Sequence, residues 1–352
     1  MPLQSNNKNK INFYKLEKFV VEVLTKAGLD DYSVMAVSTG LLETSLRGVD
    51  SHGVRLLQHY VKSAATGRKN PRPNFKFTSK FPAMQNMDAD NAYGHAAGFK
   101  AIDHAMSIAE SLGVCVVGVH NSSHPGAMAS FALRAARKGF MAFAFTHADS
   151  LMLSHNGTKP FFGTNPVCFA APRKDMEPFC VDMATTKIPW NRVVLSRTEG
   201  IPLEENLVAD EFGNPTVDSN QARCILPIGE HKGYALSSMV EVLCSIFTGA
   251  PYGTNILSMF KAPMEQGRAL GQFYIVMRVD GCVTHDEFTS RLTTMTNDVH
   301  ASPAKGAEKV ILPGDKEILV AKDRMENGIP LDQATYEGFM ELSKQFNVSF
   351  EK

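Results

Sequence analysis

No stretch of this 352-residue sequence approaches the roughly 18 consecutive apolar residues that a membrane-spanning helix requires. The N-terminus from Met1 to Lys10 is polar and lacks a signal-peptide core, so the cytoplasm is the expected compartment. An excess of one charge is also missing. Lys+Arg and Asp+Glu balance at 36 each, which leaves no global field to favour nucleic acid or an anionic membrane. Cysteine is sparse and never forms a C-x-x-C pair. The six residues (Cys115, Cys168, Cys180, Cys224, Cys244 and Cys282) are scattered, several within apolar runs such as Val114-Cys115-Val116-Val117. They read as reduced, buried thiols, and no disulfide framework is expected.

Missing motifs exclude further chemistries. No G-x-G-x-x-G follows a strand and no G-x-x-x-x-G-K-[ST] occurs, so neither a Rossmann fingerprint nor a P-loop is present. H-E-x-x-H is absent among the eleven histidines, so no metal site is expected. A hydrolase of the G-x-S-x-G kind is excluded as well. Repeats and low-complexity tracts are not found. What remains is ordinary globular composition, 44% apolar and 20% charged. At this length it supports one large α/β unit with a satellite, or two domains.

Periodicity supplies the organisation. Leu16, Phe19, Val20, Val23, Leu24 and Ala27 share one helical face that stops at Gly28, and a second helix is predicted over Ser33 to Ser45. Lys69-Asn70-Pro71-Arg72-Pro73-Asn74 breaks regular structure and marks a boundary. Beyond it, a stripe from Ala101 to Ala109 ends at Gly113, followed by a strand over Val114 to Val119. Pro125 is read as opening a helix through Ala136 to Gly139, and Phe140 to Phe145 is the next strand. Two strands lie between Val167 and Asp182, with a turn near Lys174-Asp175. Ile188 to Ile225 is rich in Pro, Gly, Asn and Asp and reads as a long irregular loop over a site. Leu236 to Phe247 is a strong helix, Gln272 to Val279 a strand, and Glu287 to Val299 and Gln333 to Phe346 are helices. The βαβ-like rhythm predicts an α/β fold.

Five polar segments interrupt this pattern. Arg47-Gly48-Val49-Asp50-Ser51-His52-Gly53 joins a cation, a hydroxyl and an imidazole, a set that can bind a carboxylate and pass a proton. It equally suits a helix cap built on Ser51 or Asp50. Asn121-Ser122-Ser123-His124-Pro125-Gly126 lies between strand and helix, where loops carry ligands, although Ser123 or His124 can also simply fix the turn. Phe162-Gly163-Thr164-Asn165-Pro166, Val181-Asp182-Met183-Ala184-Thr185-Thr186 and Glu230-His231-Lys232-Gly233-Tyr234 complete the set. Gly163 and Gly233 are also read as plain backbone requirements. Each segment is a weak signal by itself. Their order and spacing make a strong one.

In that order they resemble the malate/L-lactate dehydrogenase family of the non-Rossmann type, over about Leu16 to Gly314. The likeness is strongest toward its ureidoglycolate dehydrogenases, through Ala89-Asp90-Asn91-Ala92, Phe179 to Thr186, Ser258-Met259-Phe260 and Gly267 to Gln272. The resemblance implies a mixed sheet flanked by helices, with a smaller discontinuous helical domain (residues 1–74 and 285–352) beside a cofactor-binding α/β domain (75–284). It implies hydride transfer between NAD, with NADP as an alternative, and C2 of a small 2-hydroxy or 2-oxo acid, in a homodimer. The dinucleotide would be held by Ala148, Asp182, Met183, Ala184, Lys232, Pro313, Gly314 and Asp315. His124 and His52 compete for the acid-base role, while Ser51, Arg47 and Arg55 face the substrate. Three departures bear on the substrate. The family's arginine five residues after the S-H-G serine is Leu56 here, its P-x-G-G reads Ser154-His155-Asn156-Gly157, and Glu230 precedes His231-Lys232. Two other readings stand beside the dehydrogenase: an imine reductase on cyclic 2-carboxylates, and a catalytically inactive metabolite-binding member.

Overall fold

In chain order, β1 (Asn9–Ile11), α1 (Phe13–Lys26), α2 (Asp31–Leu46) and α3 (Leu57–Ala65) lead into a hairpin of β2 (Lys76–Phe81) and β3 (Met84–Asp88). Next come α4 (Gly94–Leu112), β4 (Val114–Ser122), α5 (Ala129–Ala136), β5 (Phe140–Thr146), β6 (Met152–Leu153), β7 (Pro160–Phe162), β8 (Val167–Arg173) and β9 (Met176–Met183). The rest is α6 (Trp190–Glu199), β10 (Val208–Ala209), β11 (Pro215–Thr216), β12 (Cys224–Ile225), α7 (His231–Glu241) and β13 (Leu270–Arg278), then α8 (His285–His300), α9 (Asp315–Asn327), β14 (Ile329–Leu331) and α10 (Gln333–Phe346). This computed structural model describes residues 9–351, so the polar N-terminal stretch read from Met1 lies outside the described residues as far as residue 8. Among the described residues no helix is long and apolar enough to cross a membrane.

Seven strands form the main sheet in the order β2-β3-β4-β13-β5-β8-β9. Only β3 and β4 run parallel, and every other neighbouring pair is antiparallel. The sheet is therefore mixed and not of Rossmann type, as the missing glycine fingerprint predicts. Alternation along the strands gives it two apolar faces. Tyr274, Val276, Ala142, Ala144 and Ala170 join one core with residues of α4 and α5. Small side chains here let the helices approach, and Gly98 takes this furthest: a Cβ on it would stand 2.4 Å from Phe131. On the opposite face Phe145 and Phe273 pack with Val240, Cys244 and Leu243 of the α7 region. That helix passes into a π-turn, Val242–Ile246, where the Cys244 carbonyl approaches Gly271 so closely that a Cβ would lie 1.6 Å away.

Three expectations are corrected. The stretch Ile188 to Ile225 is not an irregular loop. It contains α6, and its strands β10 to β12 join β6 and β7 in a five-stranded sheet. Ile188, Val193, Leu203, Val208, Ala222 and Ile225 close a satellite core, and the Pro, Gly, Asn and Asp residues mark tight turns between very short strands. Second, the helix read from Pro125 begins only at Ala129. Gly126 stands at φ +76°, against the His95 ring, and this left-handed backbone delays the helix. Of the six cysteines five are buried as expected, but Cys282 is exposed, in the turn before α8.

Candidate active site

The segment containing Ser51 and His52 leaves α2 through Gly48, at φ +85°, and folds into two short 3-10 turns, Asp50–His52 and Val54–Leu56. Its shape is set from outside. Asp50 receives both Nη atoms of Arg324 from α9, at 2.5 and 2.9 Å, and Ser45 Oγ accepts the Val54 amide at 2.9 Å. Gly53 is pressed on Ser45, where a Cβ would lie 2.0 Å from Oγ. Asp50 is thus a structural member of the motif, which leaves Ser51 and His52 facing inward together, Ser51 Oγ 2.8 Å from His52 Nδ1.

His124 arrives from the end of β4. The preceding Ser123 does the clamping that the cap reading assigned to either residue, accepting the Gly94 amide and donating to the Ala92 carbonyl, both at 2.9 Å. His124 is freed from that task. Its ring stacks on His52 with centroids 5.4 Å apart and planes 23° apart. Its Nδ1 lies 3.1 Å from the hydroxyl of Tyr60, which is also 3.2 Å from the His124 carbonyl oxygen. Both imidazoles are only half-buried by solvent contact yet densely surrounded by protein, as befits the wall of a cleft. Desolvation, with Arg55 adding to it, lowers His52 to about 4. Desolvation likewise holds His124 well below the usual histidine range, helped by His52 and by the cations Arg268 and Lys69. At neutral pH both rings are neutral and can accept a proton.

Beside this pair lies a cationic floor. Lys69, 3% exposed, sets its Nζ 3.6 Å from the centroid of the Tyr60 ring and 4.8 Å from that of Tyr93. Arg268 pairs with Asp149 at 2.6 Å. Arg68 is buried, and its guanidinium donates to the carbonyls of Gln266, Met259 and Ser258 at 3.1, 2.6 and 3.2 Å. Of the expected substrate cations, Arg55 is exposed at the rim and acts on His52 only through its field, whereas Leu56 points into the core. Arg47 is buried on another side, where it acts on Asp182.

The segments expected at the cofactor form one chain of contacts. The Ala148 amide donates to Asn165 Oδ1 at 3.1 Å, the Thr185 amide to the Thr164 carbonyl at 2.9 Å, and the Ile228 amide to the Thr185 carbonyl at 3.0 Å. That joins the turn after β5, the G-T-N-P turn, the end of β9 and the approach to α7. Gly314 comes against β9 from α9, with a Cβ position 3.0 Å from the Cys180 carbonyl. Lys232 is exposed in the first turn of α7, and Met183 and Pro313 are exposed, while Ala148, Ala184 and Gly314 are partly so. Asp182 reaches solvent but is crowded by protein. Desolvation raises it to about 6 against the Ala129 and Met128 amides and Arg47, and its Oδ2 accepts the Ala129 amide at 2.8 Å at the start of α5. Asp315 turns inward, accepting from the Leu312 amide at 2.7 Å and lying 2.6 Å from His300 Nε2.

A buried network escaped the sequence reading. Glu241 accepts from Asn165 Nδ2 at 2.8 Å and from the Gly253 amide at 2.7 Å, and lies 3.7 Å from His147, whose Nε2 accepts the Gly271 amide at 2.7 Å. It fixes the turn carrying Ala148. The asparagine of G-T-N-P was its only visible sign. Tyr60 was hidden in the apolar face of α3.

A model of the malate/L-lactate dehydrogenase family matches residues 11–339. The chain belongs to that family. It is 30% identical over 343 residues to ureidoglycolate dehydrogenase (NAD(+)) of Escherichia coli K12, covering 97% of this chain and 98% of the relative. It is also 30% identical over 345 residues to malate dehydrogenase of Pyrococcus horikoshii, covering 95% and 94%. The crystal structure of malate dehydrogenase from Entamoeba histolytica superposes with a TM-score of 0.91 at 25% identity, covering 97% and 99%.

Proposed function

We propose that this protein is an NAD-dependent oxidoreductase that moves a hydride to or from C2 of a small 2-hydroxy or 2-oxo acid. The observation that carries this reading is the His124–His52 pair, neutral, stacked and anchored by Tyr60 and Ser51 in one cleft. The residues around Ala148, Asp182 to Ala184, Lys232 and Gly314 fit a dinucleotide: they are contiguous, reach solvent, and include an exposed ammonium at a helix N-terminus, suited to phosphate. When bound, the nicotinamide supplies or takes up the hydride.

The chain's own residues handle the proton. Tyr60 has a single hydroxyl hydrogen, which we assign to the His124 carbonyl, so that His124 Nδ1–H donates to the same oxygen. This tautomer leaves the Nε2 lone pair free to take the carbinol proton, and the reverse transfer returns it. Ser51 and His52 orient the substrate. A second copy of the chain is proposed to cover the outward apolar side chains Leu236, Met239, Val242, Ile246 and Phe247 of the α7 region, giving a homodimer.

The test is a panel of oxalurate, oxaloacetate, pyruvate and sulfopyruvate with NADH and NADPH. Turnover of at least one acid with NADH is expected. No turnover with either nucleotide, and no change in NADH fluorescence on adding protein, would contradict the reading.

A further inference from the structure

Lys69 is held in place more firmly than a surface lysine needs to be. Its own amide donates to the Ser63 carbonyl at 3.2 Å, the Arg68 carbonyl accepts from Asn91 Nδ2 at 2.9 Å, and the Asn70 amide donates to the Asn91 carbonyl at 2.8 Å. Asp90 and Asn91 adopt left-handed backbone, at φ +51° and +56°, to make that clamp. The result directs a buried amine over the Tyr60 ring whose hydroxyl touches His124.

Among the described residues nothing accepts from that amine: Nζ is buried and without a hydrogen-bond partner. The other two cations are satisfied, Arg68 by three carbonyls and Arg268 by Asp149. Aromatic faces offset part of the cost of burial. Charging this buried amine with no anion beside it is costly, and an aliphatic side chain of the same length would avoid that cost. The site is therefore built one anion short. Meanwhile Leu56 puts an apolar side chain into the core at the position where an arginine is expected, and Arg55 stays at the exposed rim.

We propose that Lys69 binds the substrate carboxylate, standing in for the arginine that Leu56 replaces, and so places C2 beside His124. The proposal rests on the dehydrogenase reading and names the residue that would select a carboxylate substrate. A lysine offers a point charge where arginine offers a planar fork, so the carboxylate is held by charge and by the walls of Tyr60 and Tyr93 instead of by paired hydrogen bonds.

Proton linkage follows. Burial, then Arg268 and Arg68, hold Lys69 well below its ordinary range. The phenols it lies over, Tyr60 and Tyr93, are raised by burial and stay neutral, so neither supplies a counter-charge, and the histidines nearby, His59, His95 and His124, are lowered and neutral. An arriving carboxylate favours the charged form of Lys69, so its binding takes up protons.

Oxamate serves as the probe, with its uncharged analogue oxamide, each titrated calorimetrically into the protein–NADH complex in two buffers of different ionisation enthalpy. Wild type should prefer oxamate and take up protons on binding it. Lys69→Met should lose roughly 30- to 100-fold in oxamate affinity, take up fewer protons on binding it, and keep its affinity for NADH. Its melting temperature should not fall, since the substitution removes a buried amine that has no acceptor. Oxamate binding within twofold of wild type in Lys69→Met, or unchanged proton uptake, overturns the assignment while leaving the dehydrogenase intact. A wild type that neither turns over an oxo acid nor binds oxamate overturns both.

Discussion

The hydroxyl of Tyr60 stands 3.1 Å from Nδ1 of His124 and 3.2 Å from the same residue's carbonyl oxygen, so one phenol fixes both the ring and the backbone of the proposed base. Tyr60 is itself fully buried, and Tyr93 donates to its carbonyl at 2.8 Å. The orientation of His124 is thus set by a rigid helix and not by the loop that carries it.

Tyr60→Phe removes this anchor and little else, because the ring under Lys69 remains. The expected outcome is a roughly tenfold fall in kcat, equivalent to one hydrogen bond of about 1.4 kcal/mol, with KM for the acid changed little. Steady-state kinetics checks it. An unchanged kcat would mean that the tautomer of His124 is set elsewhere.

Lys232→Ala tests the cofactor assignment. The side chain is exposed at the start of α7, so its loss should leave the melting temperature within about a degree while weakening NADH binding roughly tenfold. Fluorescence titration with NADH reads the outcome. An unchanged dissociation constant would remove Lys232 from the site.

Acid should destabilise the fold before it protonates the site. His52 is lowered to about 4, His59 and His95 to about 3, and His124 is lowered as well, all chiefly by desolvation. Below the unfolded value of 6.5 the unfolded chain binds protons that the fold refuses, so stability is lost as pH falls from 6.5 toward 4. His95, fully buried with neither ring nitrogen hydrogen-bonded, alone contributes a slope of up to about 1.4 kcal/mol per pH unit. Asp182, raised to about 6, acts in the opposite sense but is one group against four. Denaturant melts at pH 7, 6 and 5 should show the decline, and a flat profile would contradict the neutral histidines.

Much of this was legible in the sequence, and the reason is local. β4, β5 and β13 are buried on both faces and read as apolar runs, while α1 and α10 carry clean stripes. α9 has no buried residue and β2 keeps its apolar residues largely exposed, so neither left a pattern to read. α6 buries only Val193 and Ser196, which explains why its region resembled a loop. The histidines stood out because each sits in a short polar motif. The charges around them did not, because folding assembles them from distant segments: Arg268 meets Asp149 across 119 residues, and Arg68 meets Gln266 across 198. Lys69 lay in a stretch that looked only like a chain break.

The central claim is that His124 takes the carbinol proton while His52 orients the substrate. Its most direct test is the pH dependence of kcat in His124→Ala and His52→Ala, measured with the acid that wild type turns over. His124→Ala should lose about 10²–10⁴-fold in kcat together with the acidic limb of the profile, while His52→Ala mainly raises KM and keeps that limb. An acidic limb that survives in His124→Ala and vanishes in His52→Ala would contradict the account and transfer the role to His52.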